Sequence, residues 1–174
     1  MATTWKLDAT HSEIQFKVRH MMISTVTGHF NSFDAAVETE GDDFTTAKIS
    51  FAAPIDSLST NNEQRDTHLK SADFFDAANH PKLIFTSTAV EKDGNDYKIT
   101  GDLTIRETTK QVVLNAEFGG IEKSPYGQIV AGFEITTKIN RQEFGLTWGA
   151  LTEAGGLVVA NDVKIVVNVE LIKQ

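Results

Sequence analysis

Apolar and polar residues alternate with a period of two through most of the chain. That spacing puts one face of a β-strand against a core and the other in water. Residues 11–20 carry it cleanly. Ser12, Ile14, Phe16, Val18 and His20 share one face, and His11, Glu13, Gln15, Lys17 and Arg19 share the other. The same alternation runs through 96–106, 111–118, 131–139 and 163–171, and more weakly through 30–38, 47–53 and 82–90. One dry and one wet face per strand points to antiparallel pairing, because parallel strands are usually buried on both sides. Between the runs, Glu40-Gly41-Asp42-Asp43, Asp93-Gly94-Asn95-Asp96 and Ser124-Pro125-Tyr126-Gly127 read as hairpin turns. Glu107-Thr108-Thr109-Lys110 is a less usual polar link. About eight strands joined mostly by short turns form an up-and-down meander, and strands of about ten residues favour closure into a barrel over a sandwich. The fold class is therefore all-β, an eight-stranded antiparallel barrel, as one domain over residues 1–174.

One segment departs from the alternation. Thr60-Asn61-Asn62-Glu63 has the form of a capping box, with Thr60 as N-cap and Glu63 reaching back. The short helix it starts, Glu63 to Ser71, has little apolar face beyond Leu69 and belongs on the surface. Phe74 and Phe75 would pin it to the barrel, either as an end-cap or as a plain crossover between two strands.

Eight strands close a barrel just wide enough to be filled by side chains or to hold one small ligand. Small residues at inward positions (Ser12, Ser32, Ser87, Gly101, Ala116 and Ala131) are interleaved with Phe16, Phe30, Phe51, Phe85, Phe118 and Phe133. This pattern fits a cavity for an elongated apolar guest, and equally a filled barrel whose small residues follow its taper. A prenyl or acyl chain suits such a cavity. Each buried CH₂ contributes about 0.8 kcal/mol. At about 0.3 kcal/mol per heavy atom, a forty-carbon tail would reach roughly 12 kcal/mol. Tail burial alone discriminates poorly between chains of similar girth.

Composition narrows the function. The chain is 40% apolar and 23% charged, the balance of a folded globule. Its formal charge of −8 disfavours nucleic acid and, as a whole, anionic membrane surfaces. The absence of Cys removes disulfides, thiol nucleophiles and thiolate metal sites. No apolar run approaches the ~20 residues of a membrane-spanning helix. The first residues lack the basic start and apolar region of a signal peptide, so a cytoplasmic location is expected. A periplasmic one applies if a leader has been removed.

Catalytic motifs are not evident. The five histidines are scattered, and none forms a His-Glu-x-x-His pair. His20 and His29 could meet across a hairpin, but a surface role for His29 is the plainer reading. No Gly-x-Ser-x-Gly elbow, dinucleotide fingerprint or phosphate loop is present. Gly119-Gly120 and Gly155-Gly156 read as turns or bulges, and Asp73 and Asp76 as turn caps.

Several blocks resemble the YceI-like family: Trp5-Lys6-Leu7-Asp8, the run His11 to His20, Val26-Thr27-Gly28-His29-Phe30, Arg65 to Asp76, Gly101-Asp102-Leu103-Thr104-Ile105 and Asn140-Arg141-Gln142-Glu143-Phe144-Gly145. The resemblance covers essentially the whole chain in order. It implies a lipocalin-like eight-stranded barrel, with a short surface helix, whose elongated pocket holds a polyisoprenoid. The ligands it implies are quinones or polyprenyl phosphates, with fatty acids or amides as the alternative. No cofactor, metal or catalytic residue carries over, and the resemblance implies that members often form homodimers. Where the family generally has Gly-Val-Thr-x-Pro, this chain has Glu107-Thr108-Thr109-Lys110-Gln111, a change expected to alter a turn.

The expected function is non-catalytic carriage or storage of an isoprenoid lipid. The inward face assigns its pocket to Ile14, Phe16, Val18, Phe30, Phe51, Phe85, Leu103, Ile105, Ala116, Phe118, Phe133 and Ile135. Phe144 and Trp148 are expected to close one end, with His20, Arg65 and His68 at the mouth. Arg65, His68 and Lys70 on the polar helix would meet a head group or form a solvated face. A lipid-modifying enzyme and a stress or interaction protein with a filled barrel are the competing classes.

Overall fold

The computed structural model describes residues 2–149 and 158–174. The Gly155-Gly156 turn expected from the sequence lies outside the described residues. In chain order the strands are β1 (Ala2–Leu7), β2 (Glu13–His20), β3 (Ser24–Phe30), β4 (Asp34–Glu40), β5 (Asp43–Pro54), β6 (Leu58–Ser59), β7 (Lys82–Asp93), β8 (Asp96–Ile105), β9 (Thr108–Lys123), β10 (Ile129–Asn140) and β11 (Val159–Lys173). One helix, α1 (Glu63–Lys70), lies in the crossover from β6 to β7.

The strands close as an eight-stranded antiparallel barrel. β1 pairs with β4 on one side and with β11 on the other, which seals the ring. β1 and β2 are two parts of one stave, lying in turn along β11, with Leu7 opposite Leu171 and Glu13 opposite Asn168. β3 and β4 divide a second stave in the same way. The sequence pattern marked the barrel but left residues 2–7 unassigned and ran 30–38 as one strand, although the inward positions change from even at Phe30 to odd at Ala35 and Val37 across that break.

The first kink has a local cause. Asp8 caps a single turn, Ala9–His11, accepting from Thr10 N and Thr10 Oγ1, and its other oxygen lies 2.7 Å from His11 Nδ1. That contact with His11, then Thr10, holds the Asp8 carboxyl below its ordinary pKa. The hydrogen bond from Asp8 raises His11, with Asp8 and Glu170 adding charge attraction. A lowered acid contributes stability that is lost as pH falls through its folded value. A raised histidine contributes stability that is lost as pH rises through its folded value. The kink is therefore expected to be firmest between the two. Asp8→Asn should flatten the alkaline side of a thermal-melt profile, and an unchanged profile would contradict this role.

One end of the barrel is filled. Trp5, Phe44, Tyr97, Phe118 and Phe133 pack ring against ring with centroids 5.0–6.2 Å apart. Trp5 Nε1 donates to Thr39 Oγ1 at 2.9 Å, and Thr39 donates on to Gly41 O, so the buried polar atoms are satisfied. Burial raises the Tyr97 phenol above its usual pKa. The Gly119-Gly120 pair forms a bulge in β9 where the register against β10 shifts.

The other end is covered by the β6–β7 crossover and by residues 141–149 after β10. The capping box expected at Thr60 is not formed. Asn62 is the N-cap, accepting from Arg65 N, while Thr60 is buried and hydrogen-bonds Asp66. Asp66 sits one turn deeper than Glu63 and reaches back to both the amide and the hydroxyl of Thr60, which displaces the expected pairing. Phe74 is buried and Phe75 half-buried in the core beneath the helix, so they pin it as the sequence implied. The β8–β9 link shortens to the two-residue turn Arg106-Glu107, and the strand resumes at Thr108.

Candidate functional site

Alternation along the staves lines the barrel with apolar side chains around a cavity of about 240 Å³. That is far more than the roughly 10–15 Å³ one water needs, and it exceeds the ~150 Å³ of an engineered apolar cavity that takes up benzene. It is too large for a packing defect and has room for a small apolar guest. Apart from Tyr97, Thr137 and Arg141, its lining residues are all hydrocarbon. It runs from Phe44, Tyr97 and Phe133 at the aromatic plug to Leu69, Phe74, Phe75 and Leu146 under the end-cap.

Of the residues assigned from sequence, Ile14, Phe16, Val18, Phe30, Phe51, Phe85, Leu103, Ile105, Phe133 and Ile135 line this cavity. Ala116 and Phe118 do not. Ala116 is 1% exposed between Tyr97 and Ile135 in the filled end, and Phe118 is part of the plug. The alternation gives the correct face for both but carries no information on height along the barrel axis.

The small inward residues also play other parts than expected. Ser32 is exposed, and Ser12 and Ser87 use their hydroxyls to accept from Glu170 N and Ile49 N. Ala131 is fully buried in the core. A Cβ on Gly101 would sit 2.5 Å from the Phe85 ring, so the missing side chain there is filled by a neighbouring aromatic. The small residues that do border the cavity are Ala35 on β4 and Ala47 and Ala53 on β5. Weak alternation over 47–53 was the available signal for the last two.

The mouth residues separate in the same way. Arg65 turns back to Thr60, donating from Nε to Oγ1 and from Nη2 to O. His68 Nε2 lies 2.9 Å from Asp73 Oδ2, and its ring meets Trp148 edge-on at 4.8 Å. Trp148 packs on Phe74 at 5.4 Å, so His68, Trp148 and Phe74 clasp α1 to the segment after β10. His20 pairs with Ser24 and His29 with Gln15, so these two histidines do not meet. Phe144 is 1% exposed in the core and does not line the cavity.

Arg141 is the residue that sequence reasoning missed. It is 3% exposed and borders the cavity. Its guanidinium donates to four carbonyls: Ala160 O from Nε, Leu146 O and Trp148 O from Nη1, and Val159 O from Nη2. Burial lowers its pKa from the ordinary arginine value. Among the described residues no carboxylate pairs with it. The side chain ties the two arms of the β10–β11 link across the barrel end. Its motif, Asn140 to Gly145, was visible in the sequence, but nothing there gave the burial.

A family model for the YceI-like domain matches residues 5–171. The chain belongs to the YceI-like family. A UPF0312 protein of Staphylococcus aureus strain USA300 is 37% identical over 169 residues, 97% of this chain and 96% of that one. Among solved structures, the YceI protein of Campylobacter jejuni is 32% identical over 90% of each chain, with a TM-score of 0.78. Two more distant structures share the fold. BcnA of Burkholderia cenocepacia has a TM-score of 0.82 at 21% identity, covering 94% of this chain and 98% of that one. A polyisoprenoid-binding domain from Saccharophagus degradans has a TM-score of 0.67 at 14% identity, covering 98% of each. In this YceI-like barrel no helix of the described residues is long and apolar enough to cross a membrane.

Proposed function

We propose that this YceI-like protein carries or stores a long isoprenoid lipid with its tail in the barrel, without catalysing a reaction on it. The observation that carries the reading is the hydrocarbon-lined cavity running from the aromatic plug to the end-cap. The structurally similar Saccharophagus domain, described as polyisoprenoid-binding, supports it. The head group is a neutral one of the quinone kind. Arg141 is the cation that borders the cavity, and its donors are taken by four backbone carbonyls. A phosphate would have to displace those bonds.

Competition binding of quinones with progressively shorter tails tests the reading. Each five-carbon unit removed should weaken binding about tenfold, from about 0.3 kcal/mol per tail atom. A polyprenyl phosphate of matched tail should bind more weakly than the quinone. Affinity independent of tail length would overturn the tail-burial reading, and preference for the phosphate would overturn the neutral head group.

A further inference from the structure

The turn between β2 and β3 is built against its own backbone preferences. Ile23 N donates to His20 O at 3.1 Å, and the two central residues, Met21 and Met22, have φ of 50° and 59°. Such a turn normally takes Asn-Gly or Asp-Gly, because a left-handed backbone strains larger side chains. Here those positions hold two methionines followed by isoleucine. All three point into solvent, with exposures of 40%, 54% and 74%. Half of the exposed large hydrophobics among the described residues therefore sit on one three-residue tip.

The tip stands at the rim of the cavity. Met21 N donates to Val158 O at 2.8 Å, and the neighbouring Val159 and Val18 both line the cavity. Its charge is opposite to that of the whole protein. From Ile14 to Phe33 the chain has Lys17, Arg19 and two histidines but no Asp or Glu, within a protein of net charge −8. On the outer wall Lys17 lies beside Lys164, and Lys164 beside Lys138, across β2, β11 and β10. Like charges directly opposed across strands are destabilising. Of these three lysines only Lys138 has an ion pair among the described residues, with Asp162 at 3.4 Å. Lys17 lies four residues below Met21, about 13 Å along the strand.

We propose that the Met21-Met22-Ile23 tip docks this protein on an anionic lipid bilayer. The apolar side chains enter the interface, and Lys17, Arg19 and Lys164 face the head groups. An apolar tip backed by a basic band matches an interfacial lipid surface. The docking brings the cavity rim to the bilayer. Its use for lipid exchange rests on the proposed cargo, whereas the docking does not.

The test is co-sedimentation at low salt with vesicles of equal parts phosphatidylglycerol and phosphatidylcholine, and with vesicles of phosphatidylcholine alone. The protein should bind the anionic vesicles and release them in high salt. Met22→Asn with Ile23→Ser should weaken binding on the order of a hundredfold, and Lys17→Gln about fivefold. Met22→Asn alone should raise the melting temperature, since Asn accepts the left-handed backbone, which separates lost docking from lost folding. Equal binding by the double variant, or no binding by the wild type, would overturn the proposal. So would a wild-type dimer that ignores vesicles and dissociates in the double variant, since the tip would then serve self-association. Vesicle binding by protein that takes up no quinone would sustain the docking while removing the cargo.

Discussion

Ala47→Trp is expected to abolish uptake of a long-tailed quinone while the barrel still folds. Ala47 points inward from β5, is half-buried and borders the cavity with Ile49 and Phe51 beyond it. An indole there fills space that a cavity of about 240 Å³ would otherwise offer a tail. Overfilling a packed core costs about 1–3 kcal/mol, but a side chain that enters open volume avoids most of that strain. The melting temperature should therefore hold or rise as binding disappears. A variant that binds the full-length tail unchanged would show that the tail runs elsewhere. Ala116→Trp makes the matched control. Ala116 lies in the filled end, so an indole there should destabilise the barrel without offering a clean block.

Arg141→Met is expected to give the largest loss of stability, about 3–5 kcal/mol. Methionine keeps much of the apolar stem but leaves four carbonyls, those of Leu146, Trp148, Val159 and Ala160, without this donor. Buried acceptors that lose their partner carry the full desolvation penalty. Arg141→Lys should recover only part of the loss, because one ammonium cannot reach carbonyls spread over both arms of the link. Urea unfolding measures the difference. A loss below 1 kcal/mol in Arg141→Met would mean that water replaces the guanidinium and that the link closes by other means.

The barrel was legible because period-two alternation holds over long runs between the bulges and kinks, each of which shifts its phase by one residue. Val163, Ile165, Val167 and Val169 read inward from sequence and line the cavity. Height along the barrel was not legible. Ala116 and Ala47 look alike in the pattern, yet one is locked beside Tyr97 and the other borders open space. The difference is made by Trp5, Phe44 and Phe133, which come from three strands distant in sequence and meet only after closure. The helix cap misled for a local reason, since Asp66 outcompeted Glu63 for Thr60. Arg141 was overlooked because a charged residue after a strand ordinarily lies in water, and its burial depends on carbonyls contributed by Val159 and Ala160.

The most direct test of the central claim is organic extraction and mass spectrometry of the protein purified from its own host, with native mass spectrometry of the intact complex. A stoichiometric isoprenoid lipid is the result this account predicts. A protein that emerges empty and takes up neither quinones nor polyprenyl phosphates would contradict it, leaving the cavity without the guest its hydrocarbon walls favour.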